Sequence, residues 1–386
     1  MTPDPTDRVR SIERSSIRYM FDLAESVGGD LVRLEVGEPD FDTPAGVTEA
    51  AAEAARAGHT GYTSNAGLPS LREAVAEHMA DDYGVRVDHR EVLITTGGME
   101  ALHLAALCTV SPGDEVVFPT PAFPNYWVQA RMADGVPRPV PMSAEEGFAL
   151  DADRLVDAIG HDTALVILAS PNNPTGRTFD PAAVQAVVDA AAAHDAYVVA
   201  DEVYLGLSYD RDPEGVAAVT DAPAHVLTVN SCSKRYAMTG WRVGWLAGTP
   251  DVVDQATKIR ESTTSCAPSV SQHAALAALT DADDAAAEMY DAFRERRDYV
   301  VERVAGIDGL RCPRPEGAFY AFMEPDLPGS SREMAERLLR EYGVVLAPGD
   351  GFGEAGAGHL RLSFANGVDR LEAGFDRIEC ALRDAR

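Results

Sequence analysis

Four short segments carry most of the residues whose types can do chemistry: TTGGMEAL (95–102), SPNNPTG (170–176), DEVY (201–204) and SCSKRYAMTGWRVG (231–244). Each follows an apolar run. Singly they say little, because an Asp behind a strand is commonly a helix cap and an Asn-Pro is commonly a turn. Together they supply an amine in Lys234, a carboxylate in Asp201, a phenol in Tyr204, an amide in Asn173, a guanidinium in Arg242 and a glycine-rich helix start at Gly97 and Gly98. A cofactor with a phosphate, a ring nitrogen that must stay protonated, a ring oxygen and an aldehyde that captures a lysine demands that inventory. Pyridoxal 5′-phosphate is such a cofactor. The glycines allow close backbone approach, and the N–H groups of a helix starting near Met99 offer a phosphate the favourable end of the dipole. Ser231 and Arg242 add a hydroxyl and a planar cation for the same group.

Those segments need elements to hold them. Between about Glu91 and Thr249, β-rich runs (EVLITTG, DEVVFPTP, TALVILASP, AYVVADEVY, HVLTVNS, WRVGWLAG) alternate with alanine-rich helical stretches such as Ala101–Cys108 and 181–194. This pattern predicts an α/β fold with a largely parallel sheet covered on both faces, whose ligands bind beyond the carboxyl ends of the strands. After about Ala287 the texture changes to α+β, with a helix through Arg303, the run RCPRPEGAFYAFMEP, a helix at 331–342, GVVLAPG, HLRLSFAN and a terminal helix from Val368. The first 44 residues are too short to fold alone. The expected organisation is a large domain of residues 45–286 and a smaller discontinuous one of residues 1–44 and 287–386.

In order and spacing, the chain resembles the class I/II aminotransferases, fold-type-I enzymes that use pyridoxal phosphate. The resemblance covers nearly the whole length. It rests on VGEPDFDTP (36–44), GYTSNAGLPSLREAV (61–75), NNPTG (172–176), DEVY, SCSK with Arg242 eight residues beyond Lys234, GAFYAF (317–322) and HLRLSFAN (359–366). By that resemblance Lys234 captures the cofactor aldehyde and shuttles the proton between Cα and C4′, and Asp201 keeps the pyridine nitrogen protonated. Tyr204 and Asn173 bond the ring oxygen, and Phe123 in PAFPNY stacks on the ring. Arg361 grips the substrate α-carboxylate with Asn173 and the backbone of Gly37. Tyr62 reaches a neighbouring subunit's phosphate, which implies a homodimer. The implied reaction is ping-pong transfer of an amino group from an L-amino acid to a 2-oxo acid. The Lys234 amine must be neutral to act as base, and a cationic neighbourhood is expected to lower its pKa. A C–S β-lyase of the same fold would carry nearly the same motifs, and a non-catalytic regulatory module is a remote alternative. Met99 stands where many aspartate-preferring relatives carry a lysine, so aspartate, aromatic and small apolar donors all stay open, with 2-oxoglutarate as the expected acceptor.

Composition narrows the partners. The 386 residues carry 62 Asp+Glu against 33 Lys+Arg, a net charge of −29, which repels nucleic acid and anionic membranes. Only Lys234 and Lys258 are lysines, so the chain offers two candidates for a neutral amine. Lys258, in helix-like QATKIRES, takes the surface role. Excess carboxylate with almost no lysine suits a salt-adapted, halophilic cytoplasm. Five dispersed cysteines argue against disulfides or zinc, and the nine histidines show no metal-ligand spacing, so no metal is expected. The polar N-terminus lacks an apolar signal segment, so a cytoplasmic location is expected.

Overall fold

The computed structural model describes residues 4–386. Its centre is a seven-stranded sheet, in spatial order Val92–Thr95, Gly244–Ala247, Val226–Ser231, Tyr197–Asp201, Thr163–Ala169, Glu115–Thr120 and Val136–Pro141. All neighbours run parallel except Gly244–Ala247, which is antiparallel to both strands beside it. Alternation along the strands explains the burial of both faces. Leu165 and Ile167 join one core cluster with the helix Gly98–Thr109, whereas Val166 and Leu168 join another with the helix Pro181–Ala193. The outermost strand, VPRPVP at 136–141, escapes a reading by apolar runs because of its prolines. It pairs on one side only, the place in a sheet where a missing N–H costs least.

A second, antiparallel sheet has the order Ala347–Pro348, Leu360–Ser363, Tyr320–Pro325 and Leu310–Arg311. The two ends of the chain meet beside it. Val32–Arg33 pairs in parallel with Val344–Val345, and Met20 and Ala24 of the helix Ser16–Val27 share a core cluster with Phe293, Leu338 and Phe375. The helical stretch expected at 331–342 is α-helical over Ser331–Arg337 and widens to a π-turn over Leu338–Tyr342. Among the described residues no helix is long and apolar enough to cross a membrane, and no group of three metal-ligating side chains comes together.

Candidate active site

The central sheet delivers its chemistry at one edge. Asp201 and Ser231 end their strands there, and Gly97, Phe123 and Asn173 lie just beyond theirs. Arg242 arrives by a different route. It precedes Gly244–Ala247, and because that strand runs against its neighbours, its amino end lies at their carboxyl ends. A cavity of about 320 Å³ opens at this edge, lined by Gly37, Gly98, Met99, Phe123, Asn173, Asp201, Tyr204, Ser231, Lys234, Arg242 and Arg361. Gly97 backs it. The second sheet closes the other side with Tyr320 and Arg361, and Ile17 and Val36 come from the N-terminal region.

Lys234 lies on the short helix Cys232–Arg235, and its Nζ donates to the Gly37 carbonyl at 2.7 Å. Its pKa is lowered from 10.5 to about 8, chiefly by burial. Glu38 opposes the shift, while Arg361 and Arg242 assist it. The cationic neighbourhood therefore acts in the expected direction but is the lesser cause. Asp201 moves the other way, from 3.8 to about 6, because burial penalises its charge, and a hydrogen bond from the Tyr126 hydroxyl at 2.7 Å holds the shift back.

Arg361 is 1% exposed. Its Nη1 donates to Asn173 Oδ1 (2.8 Å) and its Nη2 to the Glu35 carbonyl (2.6 Å), while Nε has no partner. Its guanidinium lies 4.3 Å from the centroid of the Tyr320 ring and 5.0 Å from that of Phe352. No carboxylate among the described residues forms an ion pair with it, and only Glu35 acts on it at longer range, so a buried cation faces the cavity with its charge partly compensated. That is the electrostatic setting a carboxylate ligand completes.

The side of the cavity next to Gly97 and Arg242 is built by backbone. Gly97 has φ +80°, and a Cβ there would stand 2.6 Å from Nη2 of Arg242. Arg242 itself is left-handed (φ 54°) and is held by Thr239 O at 2.9 Å. Glu100 accepts from the Thr96 N–H, which fixes the turn into the helix. The Ser231 hydroxyl is engaged in capping its own short helix: it accepts from the Ser233 N–H at 3.1 Å and lies 2.9 Å from the Val243 carbonyl. A glycine cradle at a helix N-terminus, a guanidinium beside it, a partly buried amine and a buried cation without an ion-pair partner fit pyridoxal phosphate with an amino-acid substrate.

Tyr62 is not brought to this cavity. It is 91% exposed on the loop before the helix Pro69–Tyr83. Two phenols that sequence reasoning passed over are at the centre instead. Tyr126 binds Asp201, and Tyr320 lies with its hydroxyl 2.7 Å from that of Tyr204. Both stand in motifs already singled out, PAFPNY and GAFYAF, but a tyrosine within an apolar run reads as core packing. Met99 lines the cavity too, with its sulfur 3.3 Å from Gln129 Nε2.

Residues 29–372 match the family described as aminotransferase class I and II. The chain is 37% identical over 381 residues to an aspartate aminotransferase of Pyrococcus horikoshii, covering 97% of this chain and 96% of that protein. It is 41% identical over 356 residues to an aspartate/prephenate aminotransferase of Thermus thermophilus, covering 91% of each. Among solved structures it is similar to the aspartate aminotransferase from Thermus thermophilus with maleate, with a TM-score of 0.94 and 36% identity over 98% of this chain and 100% of the other. With sequence, fold and cavity in agreement along almost the whole length, the chain belongs to the class I and II aminotransferases, enzymes that depend on pyridoxal phosphate.

Proposed function

We propose that this aminotransferase accepts the amino group of an L-amino acid at the cavity around Lys234, passes it to a 2-oxo acid in a second half-reaction, and favours aromatic or aliphatic donors. Bound pyridoxal phosphate supplies an aldehyde that takes up the amino group and a ring that delocalises the electron pair left at Cα. The protein's part is to hold and to move protons. Arg361 with Asn173 clamps the α-carboxylate, which orients the Cα–H bond towards the Lys234 amine. Lowered basicity leaves a useful fraction of that amine neutral near pH 8, so it can accept the Cα proton and return it. Asp201 stabilises a proton on the ring nitrogen, and Tyr204 and Asn173 address the ring oxygen. Phe123 offers an aromatic face, while Gly97, Gly98, Met99, Ser231 and Arg242 surround the phosphate.

The observation that carries this reading is Arg361, buried with an open donor and, among the described residues, no carboxylate within ion-pair distance. Donor preference rests on the lining. Lys234, Arg242 and Arg361 are its cations among the described residues, and each already has a task, whereas Ile17, Val36, Met99 and Leu102 present apolar surface. A second carboxylate would need a cation from outside this chain. We place Tyr62 at the neighbouring subunit's phosphate in a homodimer, and assign the enzyme to a salt-rich cytoplasm. The chain divides into domains of 45–286 and of 1–44 with 287–386.

The test is a single-turnover experiment. Amino acids are added one at a time to the cofactor-loaded enzyme without any 2-oxo acid, and the absorbance is followed as the cofactor passes to its amine form. Fastest conversion by aromatic or aliphatic amino acids is expected. Fastest conversion by aspartate would mean that a partner-subunit cation reads the second carboxylate, and steady release of ammonia and pyruvate from cysteine or cystathionine would make the enzyme a lyase.

A further inference from the structure

The hydroxyls of Tyr204 and Tyr320 lie 2.7 Å apart, and both rings are buried. A phenol has one proton to give. In such a pair one hydroxyl donates and the other accepts, and the acceptor keeps its own proton for a third group. Which of the two accepts decides whether Tyr204 reaches the cavity as a donor or only as a lone pair.

We infer that Tyr320 is a positioning residue that donates its O–H to the Tyr204 oxygen, so that the Tyr204 proton is directed to an acceptor in the cavity. The inference rests on the placement of the cofactor at Lys234 proposed above. Its basis is an asymmetry in charge. The Arg361 guanidinium lies over the Tyr320 ring at 4.3 Å, so a cation favours loss of the proton from Tyr320; it acts on Tyr204 in the same sense, but there it ranks behind the contact with Tyr320. Burial pushes both phenols up, and the guanidinium over the Tyr320 ring offsets that rise for Tyr320 ahead of any other neighbour. The other charged groups facing the pair are Asp201 and Lys234, whose Nζ stands 5.8 Å from the centre of the Tyr204 ring.

Packing holds Tyr320 to this task. Its ring meets those of Tyr204 and Phe319 edge-on, with centroids 5.6 and 5.0 Å away. Gly37 leaves room for its hydroxyl, since a Cβ at that position would fall 1.8 Å from the Tyr320 oxygen. Tyr320 and Arg361 also share one antiparallel pair of strands, in which Phe322 stands opposite Arg361 and Tyr320 opposite Ser363. Tyr320 is thus the diagonal neighbour of Arg361 on one sheet face, and the carboxylate clamp and the phenol are carried by one rigid element.

Loss of the Tyr320 hydroxyl removes a hydrogen bond and leaves the Tyr204 proton free to turn away from the cavity. The test is the pH titration of the visible absorbance of the cofactor-loaded enzyme in wild type, Tyr320→Phe, Tyr204→Phe and the double variant. Phenylalanine keeps the ring under Arg361, so the substrate KM should stay near wild type. The absorbance transition in Tyr320→Phe should move to higher pH by roughly one unit, the scale of one hydrogen bond to a charged group. It should add nothing in the Tyr204→Phe background, because Tyr320 acts through Tyr204. A Tyr320→Phe transition at the wild-type pH, or a shift that persists without the Tyr204 hydroxyl, would overturn the inference alone. A wild type with no pH-sensitive band would overturn both it and the placement of the cofactor at Lys234.

Discussion

Lys234 and Asp201 are displaced from their ordinary acidities in opposite senses, each towards neutrality, and burial is the first cause in both. For Lys234 the displacement has a thermodynamic sign that can be measured without the cofactor. The folded pKa of about 8 lies below the ordinary 10.5, so the unfolded chain binds the proton more tightly. The cost of burying the ammonium is fully present below pH 8 and fades as pH rises from 8 towards 10.5. Lys234→Met should therefore raise the melting temperature of the cofactor-free protein at pH 7, with the advantage shrinking steadily above pH 8. An advantage independent of pH would contradict the argument. In the loaded enzyme, Lys234→Ala should abolish turnover and the pH-sensitive absorbance, whereas Lys258→Ala, at an exposed helix position, should leave both unchanged. Tyr126→Phe takes a hydrogen bond from the Asp201 carboxylate, and the acid limb of the kcat/KM profile should move up by roughly half a unit to one unit. Lys234 stood out as a candidate because there are so few lysines, and Arg361 because an arginine amid alternating apolar residues is costly, while the roles given to both came from the family resemblance. Tyr126 and Tyr320 could not, since only the folded chain shows which buried phenols meet a polar partner.

At the scale of elements, the alternation of apolar runs and alanine-rich stretches was enough to read an α/β sheet, and to expect its polar residues to gather at one edge. The reversed direction of Gly244–Ala247 was not, because a four-residue apolar strand looks the same either way round. That reversal is what turns Arg242 to the same edge as Asp201. Proline hid the outer strand 136–141, and a run of strand ends says nothing about the small sheet that lays Tyr320 beside Arg361. The helix Gly98–Thr109 illustrates how narrow the local tolerance is. Gly97 combines a positive φ with a close approach to Arg242, so Gly97→Ala meets both backbone strain and a displaced guanidinium. We expect cofactor affinity to fall by about tenfold or more, as measured by dialysis against graded pyridoxal phosphate, since strain of 1–3 kcal/mol is typical at such positions. Unchanged affinity would show that the cradle does not hold the phosphate.

For the whole molecule, charge dominates. Surface ion pairs such as Arg8–Asp134 (2.6 Å) and Arg303–Asp376 (2.8 Å) are local, and each exposed pair contributes about 0–1 kcal/mol. They leave a net −29 spread over the surface. Screening acts on that excess, with a Debye length of roughly 10 Å at 0.1 M salt and 3 Å at 1 M. Melting should therefore occur at a higher temperature in 2 M KCl than in 0.1 M, followed by circular dichroism, and equal temperatures would remove the case for salt adaptation. The charge itself was plain from composition. The assembly was not, because no arrangement of residues in one chain states what Tyr62 touches.

The scarcity of lysine has a practical consequence for anyone who modifies the protein. An endoproteinase that cuts only after lysine divides the denatured chain into three peptides, 1–234, 235–258 and 259–386. A reagent fixed on Lys234 fuses the first two, and one fixed on Lys258 fuses the last two. Because Lys234 is held in the cavity against Gly37 and Lys258 lies on the outside, a two-way digest reports whether a label reached the interior or stopped at the surface.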